Sequence, residues 1–146
     1  MIRVLVIDDH PVVRAGLEAV VRSEPGLIAV GSAARPRDAI ELIRRTQPDV
    51  ALVDARLGEY DGIALVRSIL REPAPPAVLV VSGNVDSGLE RVAVEAGAHG
   101  AVDKGTALPE LFDAIRLAAR GAAPDGSTPP GDAAAAAGDV SPDGAA

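Results

Sequence analysis

The chain has 146 residues, 48% hydrophobic and 24% charged, with a formal net charge of −7, no cysteine, and Tyr60 and Phe112 as its aromatic side chains. That length suits one ordinary domain, and the composition excludes disulfides, thiolate metal sites and a membrane span of roughly 20 apolar residues. The negative balance and the lack of stacking rings argue against direct nucleic-acid binding by this chain, and Met1-Ile2-Arg3 carries no secretory leader pattern, so a cytoplasmic location is expected.

The first element is the run VLVI at residues 4–7, which ends at two adjacent carboxylates, Asp8 and Asp9. A helical stripe follows through Val13, Leu17, Val20 and Val21. Residues 27–30, LIAV, form a weaker second strand, and Ala39, Ile40 and Ile43 mark the second helix. The run VALV at 50–53 is the third strand and ends at Asp54. Ile63, Val66, Ile69 and Leu70 mark the third helix, with Asp61 as its N-cap. The run VLVV at 78–81 is the fourth strand and ends at Ser82. Leu89, Val92, Ala93 and Ala96 mark the fourth helix. Ala101-Val102 is a short fifth strand before Asp103-Lys104, and Leu108, Leu111, Phe112, Ile115, Ala118 and Ala119 mark the last helix.

Continuous apolar strands, rather than alternating ones, are the mark of strands covered on both faces. Prolines 11, 36 and 109 sit where first-turn prolines belong, and glycines 26, 97 and 121 follow helix ends. The pattern predicts an α/β protein: a parallel sheet, helices on both faces and right-handed crossovers. The folded unit is expected to span residues 1–120. Residues 121–146 hold Asp125, Asp132, Asp139 and Asp143, no basic residue, and mostly Ala, Gly and Pro. That composition predicts a disordered acidic tail or a truncated linker.

In a sheet of this kind ligands bind beyond the carboxyl ends of the strands. The pattern places Asp8, Asp9, Asp54, Ser82 and Lys104 there. Crowded carboxylates raise one another's pKa, and a hard divalent cation relieves them. Mg²⁺ takes one or two carboxylates together with phosphate oxygens. Asp54 is then placed as a nucleophile for a phosphoryl group, Asp9 as a metal ligand with Asp8 acting through water, Lys104 as a point charge on a phosphoryl oxygen, and Ser82 as a hydrogen-bond donor to another. Lys104 is the sole lysine beside thirteen arginines. His10 reads chiefly as a loop residue that caps the following helix, with a ligand role beside the acidic pair as the alternative, and His99 as a turn residue.

These residues resemble the receiver domain of two-component response regulators across residues 1 to about 120. Asp8-Asp9, Asp54, Ser82 and Lys104 fall in register with that family. The segments DDHPVVRAGL and GAHGAVDKG are most similar to the subfamily that usually carries a LuxR-type helix-turn-helix effector. The resemblance implies a flavodoxin-like (βα)5 doubly wound sheet of strand order 2-1-3-4-5. It implies a sensor histidine kinase as phosphoryl donor and self-catalysed transfer to Asp54. It also implies Mg²⁺ held by Asp9, Asp54 and the backbone carbonyl of Arg56.

The chain departs from that pattern in places. Ala101 stands where the family usually has an aromatic residue or His, so no ring is present to swing as Ser82 moves. The side chain of Arg56 either shields an acyl phosphate or stands as a solvated loop charge. No helix-turn-helix pattern follows residue 120, so output is expected through a protein contact, homodimeric or with a separate effector. A rival reading is a pseudo-receiver that folds but takes no phosphate. A phosphatase-type hydrolase is disfavoured by Arg56 where a second acid is expected. The absence of G-x-G-x-x-G after the first strand disfavours a dinucleotide enzyme.

Overall fold

The structure, a computed structural model, describes residues 1–121. The elements run β1 (Ile2–Ile7), α1 (Pro11–Ser23), β2 (Leu27–Ala33), α2 (Pro36–Thr46), β3 (Val50–Asp54), β4 (Arg56–Leu57), β5 (Tyr60–Asp61), α3 (Gly62–Leu70), β6 (Ala77–Ser82), α4 (Ser87–Glu95), β7 (Gly100–Asp103) and α5 (Leu108–Ala119). The acidic segment read as a tail lies outside the described residues beyond Gly121.

Five strands form a parallel sheet in the order β2-β1-β3-β6-β7. This is the expected 2-1-3-4-5 order of a flavodoxin-like fold. The continuous apolar runs have a direct explanation in the two cores. Leu5, Ile7, Ala51, Val53, Val78 and Val80 point to one face, where they meet Ala39, Ile43, Ile63, Val66, Ile69 and Ala93 of α2, α3 and α4. Val4, Val6, Val50, Leu52, Leu79 and Val81 point to the other, against Val21 of α1 and Leu111, Phe112, Ile115 and Ala118 of α5. Successive strand residues alternate faces, so a strand with a core on each side has no position left for a polar residue. Burying each Val, Leu or Ile contributes about 1.5–3 kcal/mol before the entropy of ordering is subtracted.

The local signals behave as their chemistry requires. Pro11 and Pro36 open α1 and α2. The Asp61 side chain accepts the Ile63 N–H at 2.9 Å and caps α3, as the sequence suggests, and Asp86 accepts the Leu89 N–H at 2.8 Å to cap α4. Several expectations are revised. β2 runs on through Gly31-Ser32-Ala33, and its register against β1 shifts opposite Val4 and Leu5. A two-stranded antiparallel ribbon, β4 with β5, stands where the pattern suggests only a loop. Val92 and Leu108, assigned to buried stripes, are exposed.

The ribbon matters because it lies between Asp54 and α3. Its buried residue Leu57 anchors it to the core, and Gly58 turns it at φ 62°. Gly62 then starts α3 directly against the backbone of Asp54. A Cβ there would lie 2.0 Å from the Asp54 carbonyl oxygen and 2.8 Å from the Ala55 carbonyl. Gly62→Ala is therefore expected to cost about 1–3 kcal/mol by overpacking against backbone. Gly16→Ala, in the α1 interior with nothing within 4 Å of its added carbon, is expected to add about 0.5–1 kcal/mol. Urea denaturation of both variants checks the pair.

His99 follows α4 at the opposite end of the sheet, where its N–H donates to the Val78 carbonyl at 2.8 Å. Burial holds its imidazole below the ordinary value of 6.5, against a hydrogen bond with the Gly121 backbone that acts the other way. The unfolded chain therefore binds this proton more readily than the folded one. The contribution to stability is full above the ordinary value of 6.5 and is lost as pH falls from there through the lower folded value. Thermal melts across this window are expected to show a steeper fall for the native protein than for His99→Gln.

Candidate functional site

The sheet reverses its winding at β1 and β3, and the crevice at that switch point opens at the carboxyl ends of the strands. Ile7 pairs with Val53 in register. The next residue on each strand is a carboxylate, so Asp8 and Asp54 become neighbours by register alone. Asp54 is in turn opposite Val81, and Ser82 is opposite Asp103. The Lys104 N–H donates to the Ser82 carbonyl at 2.8 Å, which continues that edge beyond the strands.

Asp8 is 1% exposed and Asp54 5% exposed, and they are the buried charged residues among those described. The Lys104 ammonium lies 3.1 Å from Oδ2 of each. Its base is two strands from β3, roughly 10 Å away at the usual strand spacing, and only a long flexible stem reaches that far. The remaining oxygens are held locally. Asp8 Oδ1 accepts the His10 N–H at 2.8 Å, and Asp54 Oδ1 accepts the Arg56 N–H at 3.1 Å. Arg14 of α1 donates to the Asp8 carbonyl at 3.0 Å and fixes the loop from behind. Sequence reasoning missed Arg14. Its position two turns-worth of pattern away from the acids carries no signal of that contact.

Burial raises the Asp54 pKa above the ordinary carboxylate value, and the Asp8 charge adds to this. The Arg56 N–H and Lys104 act in the opposite sense without cancelling it. For Lys104, burial alone would weaken the ammonium. The contacts with Asp8 and Asp54 outweigh that and hold its pKa above the ordinary value.

Not every expected residue joins the cluster. Asp9 does: Asp8, Asp9, His10 and Asp54 each offer a ligand atom, and these atoms lie within 4.8 Å of one another. Ser82 turns into its own loop, where its Oγ accepts the Asn84 N–H at 3.2 Å and donates to the Asn84 carbonyl at 3.3 Å. The Arg56 side chain is exposed, and its backbone N–H is the group bonded to Asp54. His10 occupies the N-cap position of α1 but makes no side-chain capping bond, contrary to the capping role read from sequence. Ala101 is half-buried against the core on the α4 side of the sheet.

The donor set fits a hard divalent cation. Asp9 Oδ1 is sealed from solvent and accepts no hydrogen bond, a state in which buried carboxylate oxygens are rarely left, while Asp8 Oδ2 is met by the Lys104 ammonium at 3.1 Å. The loop is shaped closely around them, since a Cβ on Gly58 would come within 3.2 Å of Asp9 Oδ2. Lys104→Met would remove the one ammonium beside two buried carboxylates. It is expected to cost on the order of 2 kcal/mol in cation-free buffer, measured by urea denaturation.

Residues 4–116 match the model of the response regulator receiver domain. The transcriptional regulatory protein LiaR of Bacillus subtilis is 36% identical over 83% of this chain and 57% of its own length. The response regulator GacA of Pseudomonas aeruginosa is 36% identical over 80% of this chain and 54% of its own. This chain thus spans about half the length of the curated relatives it matches. The solved structure of a LuxR-family two-component response regulator from Aurantimonas sp. SI85-9A1 superposes with a TM-score of 0.76 at 33% identity, covering 84% of this chain and 90% of that one. With its sheet order, its acidic switch point and the match over residues 4–116, the chain belongs to the response regulator receiver domain family of two-component systems.

Proposed function

We propose that Asp54 is the phosphoryl acceptor of this receiver and that a sensor histidine kinase is the donor. The observation that carries this reading is the pairing of Asp54 Oδ2 with the Lys104 ammonium at 3.1 Å, beside the Asp8 and Asp9 carboxylates. In the transfer, a carboxylate oxygen of Asp54 forms a bond to phosphorus. The phosphorus–nitrogen bond of the donor phosphohistidine breaks, and the imidazole keeps the electron pair. The chain's work is positioning and charge neutralisation. The Arg56 N–H holds one Asp54 oxygen in place. Lys104, already oriented by two carboxylates, is set to follow the new phosphoryl oxygens as a point charge. Ser82 leaves its Asn84 contacts to donate to a phosphoryl oxygen.

Mg²⁺ would be held by Asp9, Asp54 and the Arg56 carbonyl, with Asp8 acting through water, and when bound it supplies positive charge against the phosphoryl oxygens. The sealed, unbonded Oδ1 of Asp9 supports that choice.

Output passes through a protein contact, to a second copy or a separate effector. With Ala101 in place of a ring, the face of α4, β7 and α5 either shifts by packing other than an aromatic swing or changes little on phosphorylation. The folded unit is read as residues 1–120, since α5 closes at Ala119. No described helix is long and apolar enough to cross a membrane. The complete acid set and its lysine speak against a receiver that never takes phosphate.

Incubation with acetyl phosphate and Mg²⁺, followed by intact mass, is expected to show a gain of one phosphoryl group. Asp54→Ala should show none. A native protein that gains no mass, or an Asp54→Ala variant that gains the same mass, would overturn the assignment.

A further inference from the structure

His10 follows the acidic pair in sequence, and the structure turns its ring toward that pair. Pro11 confines the preceding residue to extended backbone, and His10 sits there at φ −88°, ψ 112°. This aims its ring back over the acidic pair. Nδ1 lies 3.2 Å from Asp9 Oδ1 and 3.4 Å from Asp8 Oδ1. Lys104 engages the opposite oxygens, Oδ2 of Asp8 and of Asp54. The ammonium and the imidazole therefore stand on different sides of the carboxylate group.

An ordinary ion pair accounts poorly for this ring. Its side chain is 65% exposed, and pairs of that kind contribute little. It makes no capping bond to α1. Asp9 Oδ1, the atom it faces, is sealed from solvent and accepts no hydrogen bond. An imidazole nitrogen 3.2 Å from a sealed carboxylate oxygen that accepts no hydrogen bond is a pair of donors in want of a shared cation. Ligands about 2.1 Å from one ion sit roughly 3 Å apart when adjacent and about 4.2 Å apart when opposite. The four donor atoms lie within 4.8 Å of one another, so contraction by about half an ångström closes the set around an ion.

We propose that His10 is a ligand of this cation site through Nδ1, and that it gives the site a preference for borderline first-row divalent cations over Mg²⁺. The inference rests on the reading of Asp8, Asp9 and Asp54 as a cation site. Mg²⁺ prefers oxygen and keeps its waters, so an imidazole adds little to its binding. Mn²⁺, Co²⁺ and Ni²⁺ accept imidazole nitrogen increasingly in that order, and Zn²⁺ takes it as well. The loop Asp8-Asp9-His10 then holds hard and borderline donors on three consecutive residues.

Isothermal titration calorimetry of the untagged full chain with Co²⁺ and with Mg²⁺, at neutral pH or above, tests this. In His10→Ala and His10→Gln, Co²⁺ affinity is expected to fall about tenfold or more, while Mg²⁺ affinity changes less than about twofold. Proton NMR of the Co²⁺ form should show a strongly shifted imidazole N–H that disappears in both variants. The chain has two histidines, and His99 lies at the far end of the sheet, so the signal is assignable. Equal Co²⁺ affinity in native and variant proteins, or an equal loss for both cations, overturns the role of His10 and leaves the acidic site standing. No uptake of either cation by the native protein overturns the site reading, and this inference with it.

Discussion

Three carboxylates gathered at one end of a sheet repel one another, and the architecture of this protein is organised around holding them there. Two unit charges 4 Å apart interact by roughly 4 kcal/mol at an effective dielectric constant of about 20, which is a large part of a small domain's net stability. The Lys104 ammonium, 3.1 Å from both Asp8 and Asp54, offsets that repulsion. The Asp54 pKa still stands above the ordinary carboxylate value, chiefly because the group is buried and in lesser part because of the Asp8 charge. A buried carboxylate cluster of this kind favours a hard divalent cation, which relieves both its burial and its repulsion.

The fold supplies the rigidity that such a cluster needs. Because each central strand faces a core on both sides, the strand ends cannot slide to spread the charges. A shift of one residue in β1 would exchange the two faces of the strand. The loops above the sheet are fixed by smaller devices: the Arg14 bond to the Asp8 carbonyl, the buried Leu57 beneath the ribbon, and Gly62 against the Asp54 backbone. The neighbouring edge of the sheet is less constrained. The Ser82 hydroxyl is held by two long local hydrogen bonds, and α4 begins a few residues later.

Much of this was readable before any coordinates. The β-branched runs of β1, β3 and β6 fix their own identity, and their abrupt endings at Asp8, Asp54 and Ser82 mark the functional edge. Propositions about shorter elements fared less well. Residues 56–57 and 60–61 pair into a ribbon too short to carry a period. Residues 31–33, Gly-Ser-Ala, extend β2 without strand propensity because β1 supplies the hydrogen bonds. Leu108 and Val92 fall on helical stripes by spacing, yet the sheet and neighbouring helices do not extend far enough to cover them.

By itself the sequence determined the alternation of strand and helix, the two-sided burial of the sheet, and the set of residues delivered to its carboxyl edge, since all of these follow from local periodicity and from where apolar runs stop. Only the tertiary structure decided how those side chains share their atoms. That Lys104 bridges Asp8 and Asp54 across two strands, that Ser82 faces Asn84, and that His10 turns toward Asp9 rather than capping α1 are matters of rotamer and register between segments far apart in the chain. Local pattern encodes where a backbone goes, but the direction a polar side chain takes is set by the charges that other strands bring to meet it.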